Sequence, residues 1–88
     1  MEQLIRSVAV IALWEADGTI RPLRLQLEDE GQLLRVDIQK VVAAKDLRNA
    51  GREARIFDCF GTVGNLPCRV ELKYCVQSHH WLLLRKDF

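Results

Sequence analysis

Thiolate and imidazole groups are the side chains here best suited to holding a metal, and Cys59, Cys68, Cys75, His79 and His80 all fall in the last third of the chain. Structural zinc sites bring such ligands in pairs about two to four residues apart on a turn. Here eight and six residues intervene between successive cysteines, and only Cys75 and His79 lie close. Read as strand residues, Cys68 and Cys75 also face opposite ways. The spacing predicts no metal and no cofactor. An odd number of widely spaced cysteines is not a secreted disulfide framework either, so reduced thiols that pack as small hydrophobes are expected.

Cys75 with His79 or His80 contains the elements of a thiol nucleophile and its base, but any hairpin end can place such residues together. The chain has no glycine-rich phosphate loop, no serine nucleophile elbow and no metalloprotease motif, and Gly61-Thr62-Val63-Gly64 reads as a turn. No catalytic residue is assigned, and a non-enzymatic role is expected.

Binding chemistry has more material. Lys40, Lys45, Arg48, Arg52 and Arg55 gather around one reversal against only Asp46 and Glu53. Small barrels bind single-stranded nucleic acid by joining a basic groove to aromatic platforms, and Phe57 and Trp81 are the candidates for stacking. Against this, thirteen Lys and Arg balance twelve Asp and Glu, so no global field concentrates a polyanion. The core also needs most of the few aromatics. Pairing through an edge strand or a spare apolar face requires fewer special residues. The expected function is therefore a binding or assembly module that contacts a protein partner or a second copy of itself, with nucleic-acid binding through residues 40–55 as the alternative.

These residues must be positioned by strands. Val8 to Trp14 and Leu23 to Leu27 flank Ala16-Asp17-Gly18, and Asp-Gly between apolar runs signals a hairpin. In the first run Val8, Val10 and Ala12 face one way and Ala9, Ile11 and Leu13 the other, which suggests a central strand with Trp14 capping the Val8 face. In the second, Leu23, Leu25 and Leu27 alternate with Arg24, Gln26 and Glu28, and Pro22 must sit at the beginning, an edge or a bulge. After the acidic turn Glu28 to Gly31, Leu34, Val36 and Ile38 mark a third strand. Residues 37–50 admit a helix ending at Gly51 or a continued strand. The strand reading prevails because Val41 and Val42 are both β-branched, while Lys45 and Asn49 interrupt the helical stripe.

A fourth strand runs from Arg52 to Phe60, and Gly61 to Asn65 turns the chain again. The most regular segment follows, with Cys68, Val70, Leu72, Tyr74 and Val76 alternating against Arg69, Glu71, Lys73 and Cys75. Ser78-His79-His80 makes the last turn before a sixth strand, Trp81 to Leu84. Short connections between about six strands predict one all-β antiparallel meander over residues 1–88, curled into a barrel or half-barrel that limits exposed edges.

The stretch Trp14-Glu15-Ala16-Asp17-Gly18-Thr19-Ile20-Arg21-Pro22-Leu23-Arg24 resembles a family of small uncharacterised proteins from firmicute bacteria. The likeness continues through Val36-Asp37-Ile38-Gln39-Lys40-Val41, the Gly51 turn, Arg55-Ile56-Phe57 and the strand with Trp81. It implies the same β architecture and supplies no activity, ligand or site residue. With 49% hydrophobic and 28% charged residues the chain has the balance of a folded domain, and a domain this small gains from a partner that extends its core. Its longest apolar run, Val8 to Trp14, is too short to cross a bilayer, and the N-terminal residues do not read as a leader, so a cytoplasmic location is expected.

Overall fold

The computed structural model describes residues 2–88. It contains seven strands: β1 (Glu2–Ser7), β2 (Ala9–Trp14), β3 (Ile20–Asp29), β4 (Gln32–Asn49), β5 (Arg52–Val63), β6 (Leu66–Cys75) and β7 (His80–Asp87). All are antiparallel to their neighbours, in the order β1-β7-β6-β5-β4-β3-β2. None of the described residues forms a helix, and no helix is long and apolar enough to cross a membrane. The all-β meander and the strand reading of 37–50 hold.

The two ends of that order belong to one stretch of chain. β1 and β2 are separated only by Val8, so the N-terminal stretch pairs with β7 along its first half and with β3 along its second. The sheet thereby curls into a half-barrel whose seam lies at Val8, where the Val8 N–H donates to the Trp81 carbonyl at 3.1 Å. Two further contacts cross the seam: the Arg6 guanidinium donates to the Glu28 carbonyl at 2.8 Å, and Lys86 Nζ to Asp29 Oδ2 at 3.0 Å. This corrects the expectation of a central first strand. Val10 and Ala12 face inward and pack on the core, while Ile11 and Leu13 are exposed.

Inward-facing residues of neighbouring strands lie directly opposite one another and build the core from Leu25, Leu27, Val36, Phe57, Cys59, Cys68, Val70, Leu72, Tyr74, Trp81 and Leu83. The expected facing of β6 is observed, with Val70 and Leu72 fully buried. β3 departs from its alternation. Ile11 pairs with Arg24 and Ala12 with Pro22, so Leu23 is the extra residue of a bulge, and Pro22 rather than Leu23 turns inward. Proline is tolerated there because a bulge does not require its missing N–H.

β5 and β7 outrun their expected ends. Gly61 to Val63 pair with β6 and only Gly64-Asn65 turns, while Arg85 to Asp87 continue the last strand and bury Lys86. At Gly61, opposite Ile38, a β-carbon would collide with the Asp37 carbonyl oxygen, so this strand position must be glycine for β4 to approach. β4 bends just beyond, with register shifts between Ile38 and Lys40 and between Val41 and Ala43. Eighteen straight residues would span about 59 Å, but the longest dimension of the molecule is 36 Å.

Candidate binding edge

β3 accompanies β4 only as far as the Arg24–Asp37 pair. Among the described residues, β4 from Ile38 to Asn49 has β5 on one side and no backbone partner on the other. Every residue from Val42 to Asn49 is exposed. The register is unbroken from the Ala43–Asp58 pair to the Asn49–Arg52 pair, so seven residues of β4, Ala43–Asn49, form a regular strand with one open edge. The hairpin is held at its tip by Ala50-Gly51, where φ is 52° and 78°, the doubly left-handed geometry that a two-residue reversal demands.

Directly opposite residues share a face, so the core residues Phe57 and Cys59 fix the faces of the hairpin. Ala44, Asp46 and Arg48 lie on the concave face with Glu53 and Arg55, whereas Lys45, Leu47 and Asn49 lie on the convex face with Arg52, Ala54 and Ile56. Ile56 is only 7% exposed despite this outward position. Lys45 and Lys73 lie opposite it on either side, where lysine methylene stems can shield an apolar neighbour.

The five basic residues therefore do not form one patch. Arg48 and Arg55, on the concave face, pair with Glu53 at 3.3 Å and Asp46 at 3.4 Å. Lys40, Lys45 and Arg52 are convex. Lys40 stands apart, opposite Phe60, beyond the bulge at Val42. The supposed stacking aromatics are unavailable: Phe57 and Trp81 are 4% and 7% exposed and pack on each other at 5.7 Å between centroids. The sequence reading missed the exposed ones. Trp14 sits edge-on to Tyr74 at 6.2 Å, and Phe60 carries the Arg69 guanidinium 5.2 Å from its centroid. Trp14, Tyr74 and Trp81 share the concave side at the hairpin end, a clustering that strand alternation alone could have suggested.

Several shallow grooves flank the hairpin, and the two larger ones lie on opposite faces. The convex one, about 460 Å³, is lined by residues that include Leu47, Arg52, Ala54, Lys73 and Cys75. The concave one, about 330 Å³, lies between Ile20 and Ala44 over Phe57.

The candidate ligands are dispersed as well. Cys59 and Cys68 are buried on the inner face, Cys75 is outward opposite His80, and His79 Nδ1 shares a 2.9 Å hydrogen bond with the Tyr74 hydroxyl. Among the described residues no three Cys, His, Asp or Glu side chains converge on a point. Burial pushes the Cys59 thiol up to about 12, with the Asp58 carboxylate beside it acting in the same direction, and burial also raises Cys68. Neither is a nucleophile at neutral pH. The Asp58 carboxyl is held below its usual range by hydrogen bonds from Arg69, at 2.6 and 3.1 Å, and by that guanidinium's charge.

No protein-family model matches the chain, and no match is found among curated proteins or solved structures.

Proposed function

We propose that this protein is a non-enzymatic binding module that takes up another polypeptide as an added strand along the open edge of β4. The observation that carries this reading is the seven-residue stretch Ala43–Asn49, regular, exposed and paired on one side only. Its outward N–H and C=O groups offer an incoming chain a ladder of hydrogen bonds without requiring any special side chain. The concave and convex grooves beside it leave room for side chains of the added strand.

A second reading, single-stranded nucleic acid, draws on Phe60, which is 45% exposed between Lys40 and Arg69. It is less favoured because Arg69 already makes a bidentate ion pair with Asp58, and a lone platform offers one stacking position.

Ten-residue peptides selected from a random displayed library on the purified protein test the proposal. Their binding should slow amide exchange at alternate residues of Ala43–Asn49. Selected binders that protect other strands, or none, overturn it. Protection of the same amides with rising protein concentration alone would identify a second copy of the chain as the strand.

A further inference from the structure

We infer that the strand taken up at β4 is acidic, with an apolar side chain opposite Leu47 and a carboxylate two residues away on either side, opposite Lys45 and Asn49. This inference rests on the edge-pairing reading above and specifies its occupant.

Around Leu47 the convex face of the hairpin carries cations and apolar groups; the acid of that face nearest the window, Asp58 opposite Ala43, is held by Arg69 at 2.6 and 3.1 Å. From β4 towards β6, one row is Leu47, Ala54 and Cys75, the next is Lys45, Ile56 and Lys73, and Arg52 lies opposite Asn49 near the tip. Asp46 and Glu53 lie on the other face and are held by Arg55 and Arg48, and Glu71, two residues from Lys73 on the convex side of β6, pairs with Arg85 at 3.8 Å. Lys45, Arg52 and Lys73 make no ion pair among the described residues, and Lys45 stands on the open edge itself.

An added strand places its residues about 4.5–5.5 Å, β-carbon to β-carbon, from those opposite, and alternate residues return to the same face. An apolar side chain opposite Leu47 lies against Leu47, at the rim of the groove that continues over Ala54. The carboxylate on one side meets Lys45; the one on the other, opposite Asn49, reaches towards Arg52 on the neighbouring strand. The pattern acid-x-apolar-x-acid reads the same in both directions, so the requirement holds for parallel and antiparallel addition.

Nucleic acid satisfies the charges but not the rest. No aromatic residue lies on the convex face between Ala43 and Ala54, and phosphates cannot pair with a strand's alternating donors and acceptors.

Three fluorescent decapeptides differing only at these positions provide the test, alongside a thymidine dodecanucleotide. They carry acid-x-apolar-x-acid, lysine in place of both acids, or serine in place of the apolar residue. The acidic peptide should bind about tenfold more tightly than its lysine counterpart, and Lys45→Glu should reverse that order, as expected for charges facing across an interface. The serine peptide should bind more weakly than the parent. Equal binding by acidic and lysine peptides, with Ala43–Asn49 amides protected by both, overturns the inference and leaves edge pairing standing. If none of the peptides protects those amides, both fall. Tighter binding of the dodecanucleotide than of the acidic peptide at this face also overturns the inference, in favour of nucleic acid. Lys45 is exposed, and an unchanged amide spectrum elsewhere verifies that the variant folds.

Discussion

Single residues decide where this sheet bends and what its thiols can do. Gly61→Ala places a methyl group against the Asp37 carbonyl, so β4 must shift, and the variant should lose about 1–3 kcal/mol in chemical denaturation. Leu72→Ala empties part of the core and should cost about 2–5 kcal/mol. Its neighbour Lys73 points outward, and Lys73→Ala, which removes the stem opposite Ile56, should cost less than about 1 kcal/mol. Equal losses would mean that β6 has been assigned the wrong facing. Buried Cys59 and Cys68 have raised pKa values, whereas Cys75 is half-buried on the surface. Iodoacetamide at neutral pH should therefore label Cys75 first, and all three thiols once the protein unfolds, as mass spectrometry would read.

Asp58 supplies a pH dependence with a definite sign. Its carboxyl is held below the usual range in the folded protein, so the Asp58–Arg69 pair stabilises the fold above the unfolded-state pKa of about 3.9, and that contribution is lost as the pH falls through the lower folded value. The ion pair is partly solvent-screened and worth about 1 kcal/mol or less. Asp58→Asn should consequently lower the unfolding midpoint at pH 7 and converge with the parent protein near pH 2.

At the scale of elements, alternation was legible wherever one face is dry and the other wet, as in β6, and reversals were read at Asp17-Gly18 and at Asn49-Ala50-Gly51, of which Asn49 proves to be the last residue of β4. Pro22 allowed a bulge, but its place at Leu23 was not legible, because an inserted residue leaves Leu23, Leu25 and Leu27 in apparent register while the backbone turns Pro22 inward instead. The N-terminal strand was read from Val8 onward. Its division between two partners depends on how far the sheet curls, which no local pattern records. The candidate site was legible only in part: the basic residues are on one hairpin, but the bulge at Val42 and the strand parity separate them. The open edge follows from β3 leaving β4 after Asp37, a long-range event. Val8→Pro removes the N–H that bonds Trp81 at the seam and should lower stability by about 1–3 kcal/mol while leaving a mainly β far-ultraviolet spectrum.

For the whole molecule, one stretch of chain occupies both ends of the sheet order, and among the described residues no strand pairs with the outer side of the long hairpin beyond Asp37. The bulges at Gln39 and Val42 and the exposed Lys40 and Lys45 limit indiscriminate pairing along it, so what remains is the short window Ala43–Asn49. The most direct measurement is a set of intermolecular nuclear Overhauser contacts between the isotope-labelled protein and an unlabelled acid-x-apolar-x-acid peptide. Cross-strand backbone contacts from the peptide to alternate residues of Ala43–Asn49 are the predicted result. Contacts confined to β2 or to the exposed outer face around Ile11, with none along β4, would contradict it.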